Sequence, residues 1–403
     1  MNVLFWMSGY FDRHMTSEHL LIAIIKRLIE QGNTVHIIQK STGGELPSIP
    51  EELNSSLISS TDIPYKIQNK SNFVTRYLND FKYIWDCKKA IKGNYDAVFI
   101  QSSPVLGLAA WVINKTLKKN PIVTINVQDI FPYNLSFSGG LKNSSPVFKI
   151  LAAEQRYGYK HSDHVITISE DMKDTLVADG VDADKVEVIY NWSYQDEPYE
   201  NVDTAPVSHM FKPKHFNVVY AGNIGVMQNV DILVEAAKLM KNDTDVWFHV
   251  IGNGVYKEKL EARVKEYGIP NISFWPMQPP ELAPVIYSTA DVNVIPLVKN
   301  VYKTALPSKT ATCLACGKPI IFAIGKDCRF ASRVMEEAGC PVVEADRAEE
   351  LVAEINALKC RKINIDTKQF FLENCAMSTN SEKYAEIIMQ EKSSLHNGRI
   401  VNE

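Results

Sequence analysis

The sequence predicts an α/β protein made of two successive doubly wound, parallel-sheet domains. Strand-like and helix-like runs alternate along all 403 residues, most strands are apolar on both faces, and one proline-rich segment divides the alternation. A chain of this length is also too long for one ordinary hydrophobic core. Ligands of such folds bind outside the carboxyl ends of the strands, so we expect two Rossmann-like domains that face a cleft.

In the first half, short runs rich in valine and isoleucine predict the strands. They lie at Asn2–Met7, Thr34–Gln39, Asp96–Gln101, Pro121–Val127, Asp163–Ile168 and Val186–Tyr190, with a weaker one near Ile63–Ile67. The segment Glu18–Glu30 has its apolar residues at helical spacing and is followed by Gly32 as a stop signal. The apolar run Val105–Ile113 is too short to cross a bilayer and predicts a buried helix.

The segment Asn191–Phe216 contains three prolines and little periodicity, which is typical of a linker. The alternation then restarts, with strands predicted at Asn217–Ala221, Val246–Ile251, Ile272–Trp275, Val292–Leu297, Pro319–Ile324 and Pro341–Val343. A helix is predicted after Gly225, with Val230, Leu233, Val234, Ala237 and Met240 at helical spacing. We therefore predict an N-terminal domain at 1–195, a linker at 196–215, a C-terminal domain at 216–375 and, at 376–403, a helix that packs back toward the N-terminal domain.

Composition excludes several classes of protein. The net charge of −4 gives no broad basic field for nucleic acid. The first seven residues lack the basic region and cleavage site of a signal peptide, and the seven cysteines are odd in number and scattered. These features favour a reducing, cytoplasmic location. Cys313 and Cys316 form a C-x-x-C pair without a second ligand pair nearby, so we expect ordinary packing there and no metal site.

Two turns carry the strongest chemical signal. In the first, Gly222, Asn223, Ile224 and Gly225 follow a predicted strand and precede a predicted helix, where backbone N–H groups suit a phosphate or pyrophosphate. In the second, Lys303, Ala305, Leu306, Pro307, Ser308 and Lys309 follow the strand Val292–Leu297. Either turn alone could be structural or a solvated loop. Together they favour a shared diphosphate site.

These segments belong to a larger set of motifs. The set includes Tyr220–Gly225, Val250–Gly254 with Lys257, Tyr287–Val292, Leu306–Lys309, Leu314–Ile320, Glu336–Cys340 and, in the first half, Ser162–Glu170 and Ile189–Asn191. In this order and spacing, over nearly the whole chain, the sequence resembles glycosyltransferase family 4 and its bacterial polysaccharide and O-antigen branch. The resemblance implies a GT-B fold, with the donor held by the C-terminal domain and the acceptor by the N-terminal one. It also implies metal-independent, retaining transfer from a nucleotide sugar, with UDP favoured over GDP and no further cofactor.

The sequence departs from the family at four polar positions. Asn223 and Gln228 stand where the family usually has an arginine and a lysine, and Thr304 and Thr312 stand at the paired glutamates. We therefore expect the leaving diphosphate to be stabilised by backbone N–H groups of Asn223–Gly225 and Ala305–Leu306, with Lys303 and Lys309. The remaining donor contacts are expected at Ser308, Thr312 and, for the base, the backbone around Met277. The departures also leave open a non-catalytic, nucleotide-sugar-binding protein that supports a partner transferase. A sugar-nucleotide epimerase would need acid and base residues clustered over the sugar, and this sequence offers no convincing set.

Acceptor residues are expected in the first half. Asp129 follows the strand Pro121–Val127 and could orient the acceptor hydroxyl or accept its proton, or it could cap the following turn. Arg13, His14 and Glu18 lie in or beside the loop after the first strand and are polar candidates for acceptor contacts. The acceptor itself is expected to be a saccharide or a lipid-linked saccharide.

One amphipathic stretch bears on partners. Within residues 72–92, Phe73, Tyr77, Phe81, Ile84 and Trp85 recur at helical spacing, accompanied by Arg76, Lys82, Lys88, Lys89 and Lys92. Such a helix could lie on an anionic membrane at the inner face of the plasma membrane. It could equally face the core and leave its basic side solvated.

Overall fold

The computed structural model describes residues 1–11, 18–41, 49–66, 73–137, 139–360 and 365–390. They form two compact units. The first contains Met1–Ile168, Met172–Tyr190 and the described part of the chain from Ser378 onward, and the second contains Ser169–Asp171 and Asn191–Met377. Each unit is built on one parallel sheet, which confirms the predicted α/β class.

The first sheet has the strand order β3-β2-β1-β4-β5-β6-β7 among the described residues. Its strands are β1 (Asn2–Trp6), β2 (Thr34–Ser41), β3 (Ile58–Pro64), β4 (Ala97–Gln101), β5 (Ile122–Val127), β6 (His164–Thr167) and β7 (Val186–Val188). The helices of this part of the chain are α1 (Glu18–Glu30), α2 (Phe73–Ala90), α3 (Leu106–Thr116), α4 (Tyr133–Phe137), α5 (Pro146–Lys160) and α6 (Glu170–Ala178). The order reverses between β1 and β4, which is where ligands bind in doubly wound sheets.

Burial on both faces explains why the central strands were recognisable from sequence. All residues of β4 and β5 are buried, and apolar residues make up most of both strands. The weak prediction near Ile63–Ile67 was displaced, because the strand is Ile58–Pro64, paired in register with β2 from Val35 to Ser41. This edge strand buries only Ile63, so it has no apolar run to mark it.

The last helix, α14 (Met377–Met389), packs within the first unit. The Tyr384 hydroxyl donates to Asn126 Oδ1 at 3.1 Å, and the Asn380 amide donates to the Tyr190 carbonyl at 3.0 Å. Glu382 pairs with Arg27 of α1 at 2.8 Å. These contacts tie α14 to β5 and α1.

The second sheet has the order β10-β9-β8-β11-β12-β13 among the described residues. Its strands are β8 (Phe216–Ala221), β9 (Val246–Ile251), β10 (Ile272–Trp275), β11 (Val292–Pro296), β12 (Ile320–Ala323) and β13 (Val342–Val343). Its helices are α7 (Asp231–Leu239), α8 (Lys257–Tyr267), α9 (Ala283–Thr289), α10 (Thr310–Ala315), α11 (Arg329–Ala338), α12 (Ala348–Lys359) and α13 (Thr367–Asn374). All six predicted strands are present, and here the order reverses between β8 and β11.

The proline-rich segment before β8 is ordered on the second unit. It contains a 3₁₀ helix, Ala205–Met210, whose Val207 and Met210 side chains are buried. The Asn217 side chain in β8 accepts from the Lys212 N–H at 3.1 Å and donates to the His215 carbonyl at 2.8 Å. The segment therefore joins the packing of the second unit directly.

Helix α7 confirms the predicted apolar face, since Val230, Leu233, Val234, Ala237 and Met240 are all buried. Gly225 is followed first by a short 3₁₀ helix, Val226–Gln228, and α7 begins at Asp231. Asn229 has φ +48°, and this left-handed residue breaks the helical path between the two segments. Within the described ranges, no helix is both long and apolar enough to cross a bilayer.

Candidate functional site

The two turns that were predicted to share a site lie together at the carboxyl edge of the second sheet. The first follows β8 and the second follows β11, and these strands are neighbours at the point where the strand order reverses. The Val298 N–H also donates to the Met227 carbonyl at 2.9 Å, which joins the two loops. The sheet topology thus brings together segments separated by about eighty residues of chain.

Glycines allow close backbone packing around the first turn. Gly222 has φ +144° and Gly252, after β9, has φ +149°. A Cβ atom at Gly252 would lie 1.9 Å from the Gly222 carbonyl oxygen, and one at Gly254 would lie 2.1 Å from that of Ile224. Both positions therefore require glycine, because a side chain would drive the two loops apart.

Not every expected N–H group in these turns is available to a ligand. The Ile224 N–H donates to the Asn253 carbonyl at 2.8 Å, and the Ala305 N–H donates to the Val301 carbonyl at 3.0 Å. These two expectations are corrected, since loop packing already uses both donors. Within the described chain, no residue accepts a hydrogen bond from the N–H groups of Asn223, Gly225 or Leu306.

Lys309 connects the two turns. Its ammonium donates to the Ala221 carbonyl at 3.0 Å and lies 3.6 Å from the centroid of the Tyr220 ring. A Cβ atom at Gly222 would lie 3.1 Å from Lys309 Nζ, so the cation borders the glycine turn. Burial lowers the pKa of Lys309 to about 7. A bound anion would favour the charged form here.

The residues at the four positions that depart from the family all have hydrogen-bond partners. The Asn223 amide donates to Gln228 Oε1 at 3.2 Å. Thr304 donates to the Val301 carbonyl at 3.1 Å, and Thr312 accepts from Ser193 Oγ at 3.3 Å. Both threonines are buried, so these positions contribute packing and satisfied hydroxyls rather than charge.

The remaining predicted donor residues differ in exposure. Lys303 is exposed, with its ammonium 5.7 Å from the Tyr302 ring centroid. Ser308 is exposed in the turn before α10, and Met277 is half exposed in the loop after β10. Met277 thus follows a different strand from the two turns but lies at the same edge of the sheet.

Sequence reasoning missed the role of Lys257, which had counted only as part of a motif. Its ammonium donates to the carbonyls of Gly252 at 3.0 Å and Trp275 at 2.9 Å. It therefore holds the ends of β9 and β10 together, next to the loop that follows β10 and contains Met277. Its position three residues after Gly254, at the start of α8, was the available signal.

Asp129 lies in the first unit, two residues after β5. It is partly buried, and burial raises the pKa of its carboxyl to about 6. None of the described residues donates a hydrogen bond to this carboxylate, so no contact supports the turn-capping alternative. Glu18 begins α1, whereas Arg13 and His14 lie outside the described residues.

A small cavity occupies the order reversal of the first sheet. Its lining includes Trp6, Ser8, Lys40, Asp80, Tyr83 and Gln101. Lys40 and Asp80 form a largely buried ion pair at 2.7 Å, and the Gln101 side chain accepts from the Ser8 N–H at 3.0 Å. The cavity is thus lined by both polar and aromatic side chains and lies beside the loop after β1.

Comparison with protein families gives two matches. Residues 17–192 match Glycosyltransferase Family 4, and residues 215–359 match Glycosyl transferases group 1. WcaI of Escherichia coli (strain K12), named as a glycosyl transferase of colanic acid biosynthesis, is 27% identical over 57% of this chain and 58% of its own. The chain therefore spans less than two thirds of that relative. WbjE of Pseudomonas aeruginosa, named as a glycosyltransferase, is 22% identical over 90% of this chain and 91% of its own.

Solved structures show the same fold. Anabaena Alr3699/HepE in complex with UDP and glucose has a TM-score of 0.71, with 13% identity over 96% of this chain and 99% of that one. WaaG, a glycosyltransferase involved in lipopolysaccharide biosynthesis, has a TM-score of 0.69, with 14% identity over 96% of this chain and 100% of that one. At such identities the likeness concerns the fold.

Proposed function

We propose that this chain is a retaining glycosyltransferase that moves a sugar from UDP to an acceptor in surface polysaccharide or glycolipid assembly. The match of its first part to Glycosyltransferase Family 4 and of its second part to Glycosyl transferases group 1 supports this proposal. The observation that carries this proposal is the junction of the two turns by Lys309, which places a cation and backbone N–H groups at one edge of a sheet. The similar HepE structure holds UDP and glucose, which favours UDP over GDP. A hexose or a related sugar is the proposed transferred group.

The second unit is proposed to bind the donor. The N–H groups of Asn223, Gly225 and Leu306 would face the diphosphate, with Lys309 and the exposed Lys303 as counter-charges. Met277 lies in the loop that is proposed to bind the base. Lys257 donates to the Trp275 carbonyl at the start of this loop and would hold the loop in place. These cations and N–H groups would stabilise the leaving diphosphate, so we propose that no metal ion or further cofactor is needed.

The first unit is proposed to bind the acceptor. As the new glycosidic bond forms and the bond to the diphosphate breaks, the acceptor hydroxyl must lose a proton. Asp129 is suited to take it, because its raised pKa of about 6 makes it more basic than an ordinary carboxylate while leaving it ionised at neutral pH. The cavity beside β1 and β4 offers aromatic and polar groups to a saccharide. We propose that the acceptor is a saccharide or lipid-linked saccharide reached from the cytoplasm.

The same donor site also fits a second candidate function. A non-catalytic protein that binds a nucleotide sugar would explain why Asn223, Gln228, Thr304 and Thr312 lack the family's charges. The two candidates differ in turnover but share the donor site.

Thermal stability in the presence of UDP, GDP and their sugars tests the donor site. A ligand at about 100 times its Kd should raise the stability by roughly 2.7 kcal/mol. A shift with UDP or a UDP-sugar that is reduced in Lys309→Ala supports the site, and no shift with any nucleotide refutes it. Release of UDP from a UDP-sugar in the presence of a membrane-derived acceptor then separates the enzyme from the binding protein.

A further inference from the structure

Helix α2 exposes large apolar side chains along one face. Leu78, Phe81 and Trp85 are 63%, 50% and 44% exposed, and their spacing of three and four residues puts them on one side of the helix. Ile84, by contrast, is 3% exposed and faces inward. The amphipathic pattern predicted for 72–92 thus divides between a core-facing side and an apolar side that solvent reaches.

Neighbouring helices extend this apolar side. Trp85 stacks on Trp111 of α3, with ring centroids 6.4 Å apart. Helix α3 also packs against α5, because Glu154 accepts from the Leu108 N–H at 2.9 Å. On α5, Val147 is 50% exposed and Ile150 is 67% exposed. We call Leu78, Phe81, Trp85, Trp111, Val147 and Ile150 the three-helix face.

The close approach of α3 and α5 is built into the sequence. A Cβ atom at Gly107 would lie 2.2 Å from the Glu154 carbonyl oxygen, and one at Gly158 would lie 2.7 Å from the Leu106 side chain. The glycines allow the two helices to touch, so α5 is fixed beside α3 rather than loosely attached. The three-helix face is therefore a preformed surface.

The charge around this face is basic, although the chain as a whole is acidic. Lys88 Nζ lies 5.2 Å from the ring centroids of both Trp85 and Trp111. Lys82, Lys89, Lys115 and Lys149 on the same three helices are exposed. Three acidic residues lie on these helices, and each has a partner. Asp86 pairs with Lys82 at 2.9 Å and Lys89 at 3.7 Å, buried Asp80 pairs with Lys40, and Glu154 accepts from the Leu108 N–H.

We propose that the three-helix face docks on an anionic lipid bilayer. The apolar side chains would enter the boundary between headgroups and acyl chains, while the lysines would contact lipid phosphates. Charge complementarity selects this occupant, since a basic rim around exposed tryptophan and leucine side chains suits anionic headgroups. The face extends the sequence expectation for 72–92 to α3 and α5, and docking does not depend on the proposed transfer reaction.

Flotation of the full chain with lipid vesicles tests the proposal. We expect binding to phosphatidylcholine vesicles that contain phosphatidylglycerol, and weaker binding as salt is raised. The double variant Phe81→Glu, Ile150→Glu should lose binding by about tenfold or more, because two carboxylates would enter the interface. Leu239→Glu, which changes an equally exposed side chain on α7 of the second unit, should bind as the wild type does.

Three outcomes would overturn the proposal. They are the absence of binding to anionic vesicles, equal binding by the double variant and the wild type, and self-association of the wild type that the double variant abolishes without any lipid effect. The last result would assign the face to a second copy of the chain. Far-UV circular dichroism and the thermal shift with UDP verify that both variants are folded. The thermal shift reports the donor site alone. If UDP does not shift the melting temperature of the wild type, the proposed function is refuted, while the result on membrane docking stands.

Discussion

The affinity for UDP is expected to fall as the pH rises above 7, because Lys309 must be charged to hold the diphosphate. In the free protein, this ammonium is partly buried against Tyr220, and among the described residues its hydrogen-bond partner is a backbone carbonyl. Burial lowers its pKa to about 7, so close to half of the molecules carry a neutral amine at neutral pH. A bound diphosphate favours the charged form, and binding should therefore be coupled to proton uptake.

The magnitude follows from the two protonation states. If only the charged form binds, the apparent Kd is multiplied by the reciprocal of the protonated fraction. With a pKa of about 7, the Kd should rise about 15-fold between pH 7 and pH 8.5, and about half a proton should be taken up per UDP at pH 7. An ordinary exposed lysine would give no change over this interval.

Isothermal titration calorimetry with UDP measures both quantities. Titrations in buffers of different ionisation enthalpy give the proton uptake, and a series from pH 7 to 8.5 gives the Kd. Lys309→Arg should bind with little pH dependence, because an arginine stays charged throughout this range. Lys303→Ala should change the Kd without changing its slope, since Lys303 is exposed. A wild-type Kd that stays constant from pH 7 to 8.5 would refute the reasoning.

Three further predictions concern other residues. Asp129→Asn should lower turnover by about 10²-fold or more. The Asp129 carboxyl has a pKa of about 6 in the folded protein, so the wild type should lose up to about 3 kcal/mol of stability as the pH rises from 3.8 to 6, and Asp129→Asn should not. Denaturant unfolding at pH 4 and pH 7.5 measures this difference. A variant that retains wild-type turnover would contradict the catalytic role. Lys257→Gln should raise the KM for the donor about tenfold with little change in kcat, because the ends of β9 and β10 lose their shared cation; an unchanged KM, or an equal fall in kcat, would argue against positioning. The buried His249 side chain donates to Asn217, and burial lowers the pKa of its imidazole to about 4. The second unit should therefore lose up to about 3 kcal/mol of folding stability as the pH falls from 6.5 to 4. His249→Gln should abolish that component of the pH dependence, and identical profiles of variant and wild type would exclude His249 as its source.

The strands of the second unit could be predicted from the sequence. Apart from the edge strand β10, which is only partly buried, strands β8 to β13 are almost wholly buried, so each is a short, largely apolar run that stands out from its neighbours. Helix α1 was predicted at Glu18–Glu30, its observed range, because it packs by one apolar face. The edge strand β3 was misplaced, since one buried side chain leaves no such pattern.

Hydrogen-bond partners could not be predicted in the same way. Glycines at 222 and 225 indicated a turn, but nothing local shows that the Ile224 N–H bonds to Asn253 or that Lys257 bridges two strand ends. Those partners lie on other strands, and only the packing of the sheet decides which donors remain for a ligand. The same holds for Lys309, whose lowered pKa arises from burial beside Tyr220, a residue 89 positions earlier.

The amphipathic helix shows the division most clearly. The sequence by itself determined that α2 forms and that its aromatic residues recur at helical spacing. It placed Phe81, Ile84 and Trp85 together, because residues three and four apart share a broad helical face. The tertiary structure decided that Ile84 turns into the core while Phe81 and Trp85 remain outside, beside α3 and α5. Periodicity records the spacing of apolar side chains, whereas burial depends on which neighbouring helices cover them.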